Sequence, residues 1–167
     1  MNRAFVAILA LLASGPAAAQ DGRPDCTTAE HRQFDFWVGR FEVRTAEDKL
    51  AGHNVIETTL GGCALTEHWT GARGSQGRSI NFFDRNDRRW HQVWIDDSGE
   101  PLYLSGGMEG KSMVLGGETR DTDGKVVMQR ITWTPLDDGR VRQHWQASED
   151  GGKQWKTVFD GYYAPET

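Results

Sequence analysis

From Trp37 onward the chain is a succession of short β-type runs separated by turn residues, and no apolar stripe at helical spacing outlasts a turn or two. Such a pattern supports neither a helical bundle nor an alternating β/α order, so the fold class is all-β. Runs over residues 38–44, 50–60, 64–70, 77–84, 89–96, 101–109, 112–120, 125–134, 140–148 and 155–163 predict ten strands. Between them lie Glu47-Asp48, Gly61-Gly62, residues 71–74, Asn86-Asp87, Asp97-Ser98-Gly99, Gly110, residues 121–124, Asp137-Asp138-Gly139 and Asp150-Gly151-Gly152. These residue types tolerate positive φ, and turns this short join antiparallel neighbours. An open meander has two unprotected edges and a closed one has none, so the expected architecture is an antiparallel up-and-down barrel of about ten strands.

The chain start has a different character. Arg3 supplies a positive charge, residues 4–13 form an apolar run, and Ala17-Ala18-Ala19 offers small residues to a peptidase. This is the pattern of a signal peptide over residues 1–19, cleaved after Ala19. The run is about 10 residues, against the roughly 20 needed to cross a bilayer, so no membrane insertion is expected after signal removal. No Cys directly follows the small residues, which argues against a lipid-anchored start. Residues 20–33 read as an N-terminal segment with a short helix, drawn over 29–36, capped by Thr27 or Thr28 with Glu30 in its first turn. Residues 34–167 read as a single barrel domain.

Export sets the redox chemistry. Cys26 and Cys63, the two cysteines of the chain, would meet an oxidising periplasmic or extracellular compartment, so a disulfide between them is expected. Closing a loop of about 38 residues stabilises a fold by roughly 4 kcal/mol on the chain-entropy estimate. Two buried free thiols are the alternative. The formal charge of −5 is spread as mixed signs with no basic run, which argues against nucleic acid or anionic membrane as partners. The oligomeric state is left open.

Period-two alternation assigns the faces. Arg142, His144, Gln146 and Ser148 share a polar outer face, leaving Val141, Gln143, Trp145 and Ala147 inside. In the last strand Lys156 and Asp160 mark the outside, so Trp155, Thr157, Phe159 and Tyr163 are expected inside. Leu65, Glu67 and Trp69 oppose Thr66, His68 and Thr70; Val127, Gln129, Ile131 and Trp133 oppose Val126, Met128, Arg130 and Thr132. Over residues 89–96 either the Trp90, Gln92, Trp94 face or the His91, Val93, Ile95 face can be internal. If it is the tryptophan face, the lumen collects Trp69, Trp90, Trp94, Trp133, Trp145 and Trp155 with Glu67, Gln92, Gln129 and Gln143. A buried amide or carboxylate without a partner costs roughly 1–3 kcal/mol, so a core filled for stability alone would use aliphatic residues. The mixed lining predicts a wet or ligand-filled cavity; the alternative is a bulge that delivers the polar groups to solvent at the rim.

Catalytic and metal motifs are sparse. Glu67 is the best acid/base candidate, because burial beside Trp69 and Trp94 would raise its pKa. The competing reading is a carboxylate held by an Arg or by Gln92. His31, His53, His68, His91 and His144 form no metal-type pair with Cys or with each other at i+2 or i+4, so no metal is expected. Residues 148–155 fit S-x-D-x-G-x-x-W and resemble the Asp-box hairpin of sialidase-type propellers; one copy reads as a structural turn.

The stretch FDFWVGRFEV at residues 34–43, with GCALTEHW at 62–69, WHQVWID at 90–96 and the hairpin at 148–155, resembles the DUF1579 family of bacterial proteins. Phe41 stands where that family more often has Trp. The resemblance implies a calycin-like barrel, related in shape to lipocalins, fatty-acid-binding proteins and haem-binding nitrobindins, and implies no established activity. A haem reading would need a late-strand His facing in, and His144 is assigned outward, so no cofactor is expected.

The expected function is therefore an exported, non-enzymatic barrel that binds a small amphipathic or aromatic molecule at Glu67, Trp69, Gln92, Trp94, Gln143 and Trp145. One rival is a hydrolase- or isomerase-type enzyme using Glu67 in the same cavity; another is a structural or interaction module with a filled core.

Overall fold

The computed structural model describes residues 26–166; the predicted signal peptide and residues 20–25 lie outside the described residues. Ten strands follow one another: β1 (Gly39–Thr45), β2 (Leu50–Thr59), β3 (Ala64–Gly71), β4 (Gln76–Asp84), β5 (Arg89–Asp96), β6 (Pro101–Glu109), β7 (Ser112–Arg120), β8 (Val126–Pro135), β9 (Val141–Ser148) and β10 (Lys156–Pro165). Each pairs antiparallel with its chain neighbours, and β1 pairs with β10 from Phe41 opposite Pro165 to Thr45 opposite Gly161. The barrel is closed and up-and-down, as expected. Turn chemistry makes this possible: Asp48 takes φ 60° between β1 and β2, and Gly110 takes φ 60° between β6 and β7.

The segment ahead of β1 closes one end of the barrel. In place of one helix over 29–36 the chain makes two 3₁₀ turns, Ala29–Arg32 and Asp35–Trp37. Thr28 occupies the N-cap, but its hydroxyl meets His31 Nδ1 at 2.8 Å instead of a backbone amide. Phe34 interrupts the helical dihedrals with φ −106° and ψ 8°, and its ring is fully buried together with that of Trp37. The two rings stack at 4.9 Å, and Phe34 meets Trp90 at 5.6 Å and Trp133 at 5.2 Å edge-on. Truncating a buried aromatic of this kind costs about 3–5 kcal/mol.

The plug is fastened covalently. Cys26 and Cys63 are disulfide-bonded with Cα atoms 4.9 Å apart, tying the segment to the turn that enters β3. Arg32 Nη2 spans the same junction, donating to the carbonyl oxygens of Gly62 at 2.6 Å and Cys26 at 3.2 Å. Among the described residues no helix is long and apolar enough to cross a membrane.

Strand faces follow the expected alternation except at β10. There the register with β9 shifts between Thr157 and Phe159, so Val158 is an extra residue in a bulge. The bulge exchanges the faces on its N-terminal side, and Trp155 and Thr157, expected inside, lie outside. The Arg130 guanidinium sits 4.1 Å above the Trp155 ring, and Thr157 Oγ1 meets His144 Nε2 at 3.0 Å. Phe159 and Tyr163, beyond the bulge, face in. Ser148 keeps its outward register opposite Met128 but is buried under its own hairpin. Asp150 Oδ1 there accepts from Ser148 Oγ and the amides of Lys153 and Gln154, and Trp155 Nε1 donates to the Gly152 carbonyl. This is the turn-stabilising role that the motif implies.

Candidate functional site

Glu67 and Trp69 on β3, Gln92 and Trp94 on β5, and Gln143 and Trp145 on β9 are i, i+2 pairs, so each pair projects from one face of its strand. All six line one cavity of about 270 Å³. The undecided strand resolves toward the tryptophan side: Gln92 is 3 % exposed, whereas Ile95 on the opposite face is 47 % exposed. Phe159 and Tyr163 of β10 add to the wall, and Asp96 stands where β5 turns into β6. The space would hold about nine waters at their liquid volume of ~30 Å³ each, the scale of a one- or two-ring molecule.

The predicted tryptophans divide into three places. Trp69, Trp94 and Trp145 line the cavity. Trp90 and Trp133 are inside the barrel but belong to the plug layer, packed against Phe34; Trp155 is outside. The lumen thus has a solid half under the N-terminal segment and a hollow half toward the other end.

Glu67 is a buried acid of the hollow half, 4 % exposed. Asn54 Nδ2 on β2 donates to its Oε1 at 2.7 Å, and Ser79 Oγ on β4 donates to its Oε2 at 2.6 Å. The line of polar groups continues through Asn81 Nδ2 to Ser79 Oγ at 2.9 Å and Gln92 Nε2 to Asn81 Oδ1 at 2.8 Å. Glu67 is therefore held by neutral donors, neither by an Arg nor directly by Gln92. Burial disfavours its charged form and pushes its pKa up to about 7, while the hydrogen bonds from Ser79 and Asn54 pull the other way. Tyr163 is raised well above the usual tyrosine value by burial first and by the charge of Glu67 second. Its hydroxyl donates to Gln143 Oε1.

The aromatic wall is braced from behind and made to fit by glycine. Trp145 Nε1 donates to Gln129 Oε1 at 2.7 Å, and Gln129 Nε2 donates to Thr119 Oγ1 at 2.8 Å, so Gln129 is a strut outside the cavity lining. A Cβ on Gly77 would stand 2.1 Å from Cη2 of Trp94, and one on Gly161 would stand 2.4 Å from Phe159 Cε1. The two rings lie over strand positions that only glycine leaves bare.

Sequence reasoning missed Asn54, Ser79 and Asn81, the three residues that hold Glu67 and Gln92. In the middle of β4 the apolar residue faces outward: Ile80 is 38 % exposed while Ser79 and Asn81 are buried. A polar set at i, i+2 with a Gly at the same spacing was the available signal. His144 is on the outer face, as expected. On that surface Asp84, Asp87 and His91 bring one ligand-type atom each within 4.8 Å of the others, a grouping the pairwise His and Cys spacing does not register. Asp84 Oδ1 accepts from the Asn86 amide, Asp87 Oδ1 from the Arg89 amide, and Asp87 Oδ2 meets His91 Nε2 at 2.8 Å, so hairpin bonding accounts for the arrangement.

Compared with known proteins, the chain matches no protein-family model and no curated protein. The functional reading rests on the site itself.

Proposed function

We propose that the protein is an exported β-barrel that binds a small amphipathic or aromatic molecule in its lumen, without catalysing a reaction on it. One observation carries this reading: three strands deliver an aromatic and a polar side chain each to a single 270 Å³ space. Aromatic walls supply most of the burial in small-molecule pockets and a few polar groups set orientation. A module built only for stability would have closed this space, because an unfilled cavity forfeits packing energy.

Export is supported by the residues at 1–19 and by the disulfide, which fits an oxidising periplasmic or secreted setting. Membership of the DUF1579 family is part of the same proposal and rests on the stretches at 34–43, 62–69, 90–96 and 148–155. Native mass spectrometry of protein recovered from the periplasm tests the function. A small adduct lost on denaturation supports it; a bare chain that also gives no thermal shift with one-ring aromatic compounds contradicts it.

A second reading has one observation behind it: Glu67 borders the cavity, and burial pushes its pKa up to about 7, which suits proton transfer. An acid/base role requires Glu67→Gln to abolish turnover while leaving occupancy of the cavity intact.

A further inference from the structure

We propose that the cavity takes a small organic ammonium ion bearing one aromatic ring, the ring held among Trp69, Trp94, Trp145 and Phe159 and the ammonium seated on Glu67. This rests on the cavity being a binding site and names the class of its ligand.

Among the described residues, none that lines the cavity is basic, and two are carboxylic acids, the buried Glu67 and Asp96 by the β5–β6 turn. Several donors around the ligand space are engaged within the wall. Asn54 and Ser79 donate to Glu67, Gln92 donates to Asn81, Trp145 donates to Gln129, and Tyr163 donates to Gln143. Gln92 keeps its carbonyl oxygen as an acceptor, and Glu67 keeps the remaining lone pairs of a carboxylate. A ligand that donates hydrogen bonds has these acceptors to meet.

Charge decides between ligand classes of one size. An anion would lose its hydration against two acids with no cation to receive it. A neutral ring fills the aromatic space but leaves Glu67 uncompensated. An ammonium ion does both: tryptophan and phenylalanine faces attract it, and a charge-assisted hydrogen bond pairs it with Glu67. The raised pKa of Glu67 fits a buried acid that has no resident counter-ion. The titratable groups that share its cavity are Tyr163 from β10 and Asp96 from the cavity-facing side of β5, while β2 and β4 contribute neutral Asn54 and Ser79. A bound ammonium reverses the desolvation penalty, so below about pH 7 binding releases a proton from Glu67 to the buffer.

Isothermal titration near pH 8 with 2-phenylethylammonium, 2-phenylethanol and phenylacetate tests this on the wild type and on Glu67→Gln. The expected order is ammonium over alcohol by about tenfold or more, with the carboxylate weakest. In Glu67→Gln the alcohol should keep its affinity and the ammonium should lose its advantage. An alcohol or carboxylate that binds as tightly as the ammonium overturns the ligand class and leaves the binding site standing. An ammonium preference that survives Glu67→Gln overturns the seat on Glu67. If none of the three binds the wild type, the ligand class and the binding reading both fail. The ranking on the wild type needs no variant, so a poorly folding Glu67→Gln cannot hide the answer.

Discussion

Asn54 Nδ2 lies 2.7 Å from Glu67 Oε1 across the β2–β3 pair, and the two residues are 0 % and 4 % exposed. A neutral amide thus stabilises a buried acid that has no cation beside it, and the fold must depend on the protonation of Glu67. The folded pKa, about 7, lies above the ordinary 4.5, so the folded state holds the proton more tightly than the unfolded chain. The resulting stability is fully present below pH 4.5, declines as pH rises toward 7 and is absent above it; it amounts to about 3 kcal/mol at most. Urea unfolding of wild type and Glu67→Gln across pH 4–8 should show this slope in the difference between them. A difference independent of pH would mean that Glu67 titrates normally.

Trp94 lies over Gly77 so closely that a Cβ there meets its ring at 2.1 Å. Gly77→Ala should therefore push the Trp94 ring out of its seat, changing the near-ultraviolet circular dichroism and weakening binding of 2-phenylethylammonium by at least about tenfold. Unchanged spectra and affinity would show that the ring position is not fixed by the glycine.

Trp94→Ala and Gln92→Ala should separate contact from framework. The first removes wall area, and its main effect is on probe affinity, by a few kcal/mol at most. The second strands Asn81 Oδ1, which accepts from Gln92 Nε2 at 2.8 Å, and should cost about 1–3 kcal/mol of folding stability. Calorimetric binding and chemical unfolding on both variants check the split; equal effects of both on affinity alone would contradict it.

Much of this was legible in the sequence, for physical reasons that also mark where legibility ended. The turns required residues that tolerate positive φ, and they fixed the strand limits to within a residue or two, as at Arg89–Asp96. The cavity pairs were legible because Glu67 and Trp69 sit two apart in a strand with a plainly polar opposite face. Trp155 was misplaced because the bulge at Val158 depends on the β9 partner and leaves no trace in local alternation. The short helix was overextended because the pull on Phe34 comes from Trp90 and Trp133, distant in sequence. The polar frame around Glu67 stayed hidden because β4 turns Ile80 outward and Ser79 and Asn81 inward, the reverse of the usual hydrophobic rule.

The disulfide fastens a plug that carries two fully buried aromatic rings, Phe34 and Trp37. Reduction, or the double change Cys26→Ser and Cys63→Ser, should lower stability by about 4 kcal/mol. Thermal unfolding with and without reductant measures this; an unchanged midpoint would mean that ring packing alone holds the segment.

Whether the hollow half of the barrel is a ligand site is decided by a crystal structure grown with 2-phenylethylammonium. The expected result is a ring bounded by Trp69, Trp94 and Trp145, with its nitrogen within hydrogen-bond distance of a Glu67 oxygen. A cavity that contains only water at saturating probe, or a probe bound only on the outer surface, would contradict it.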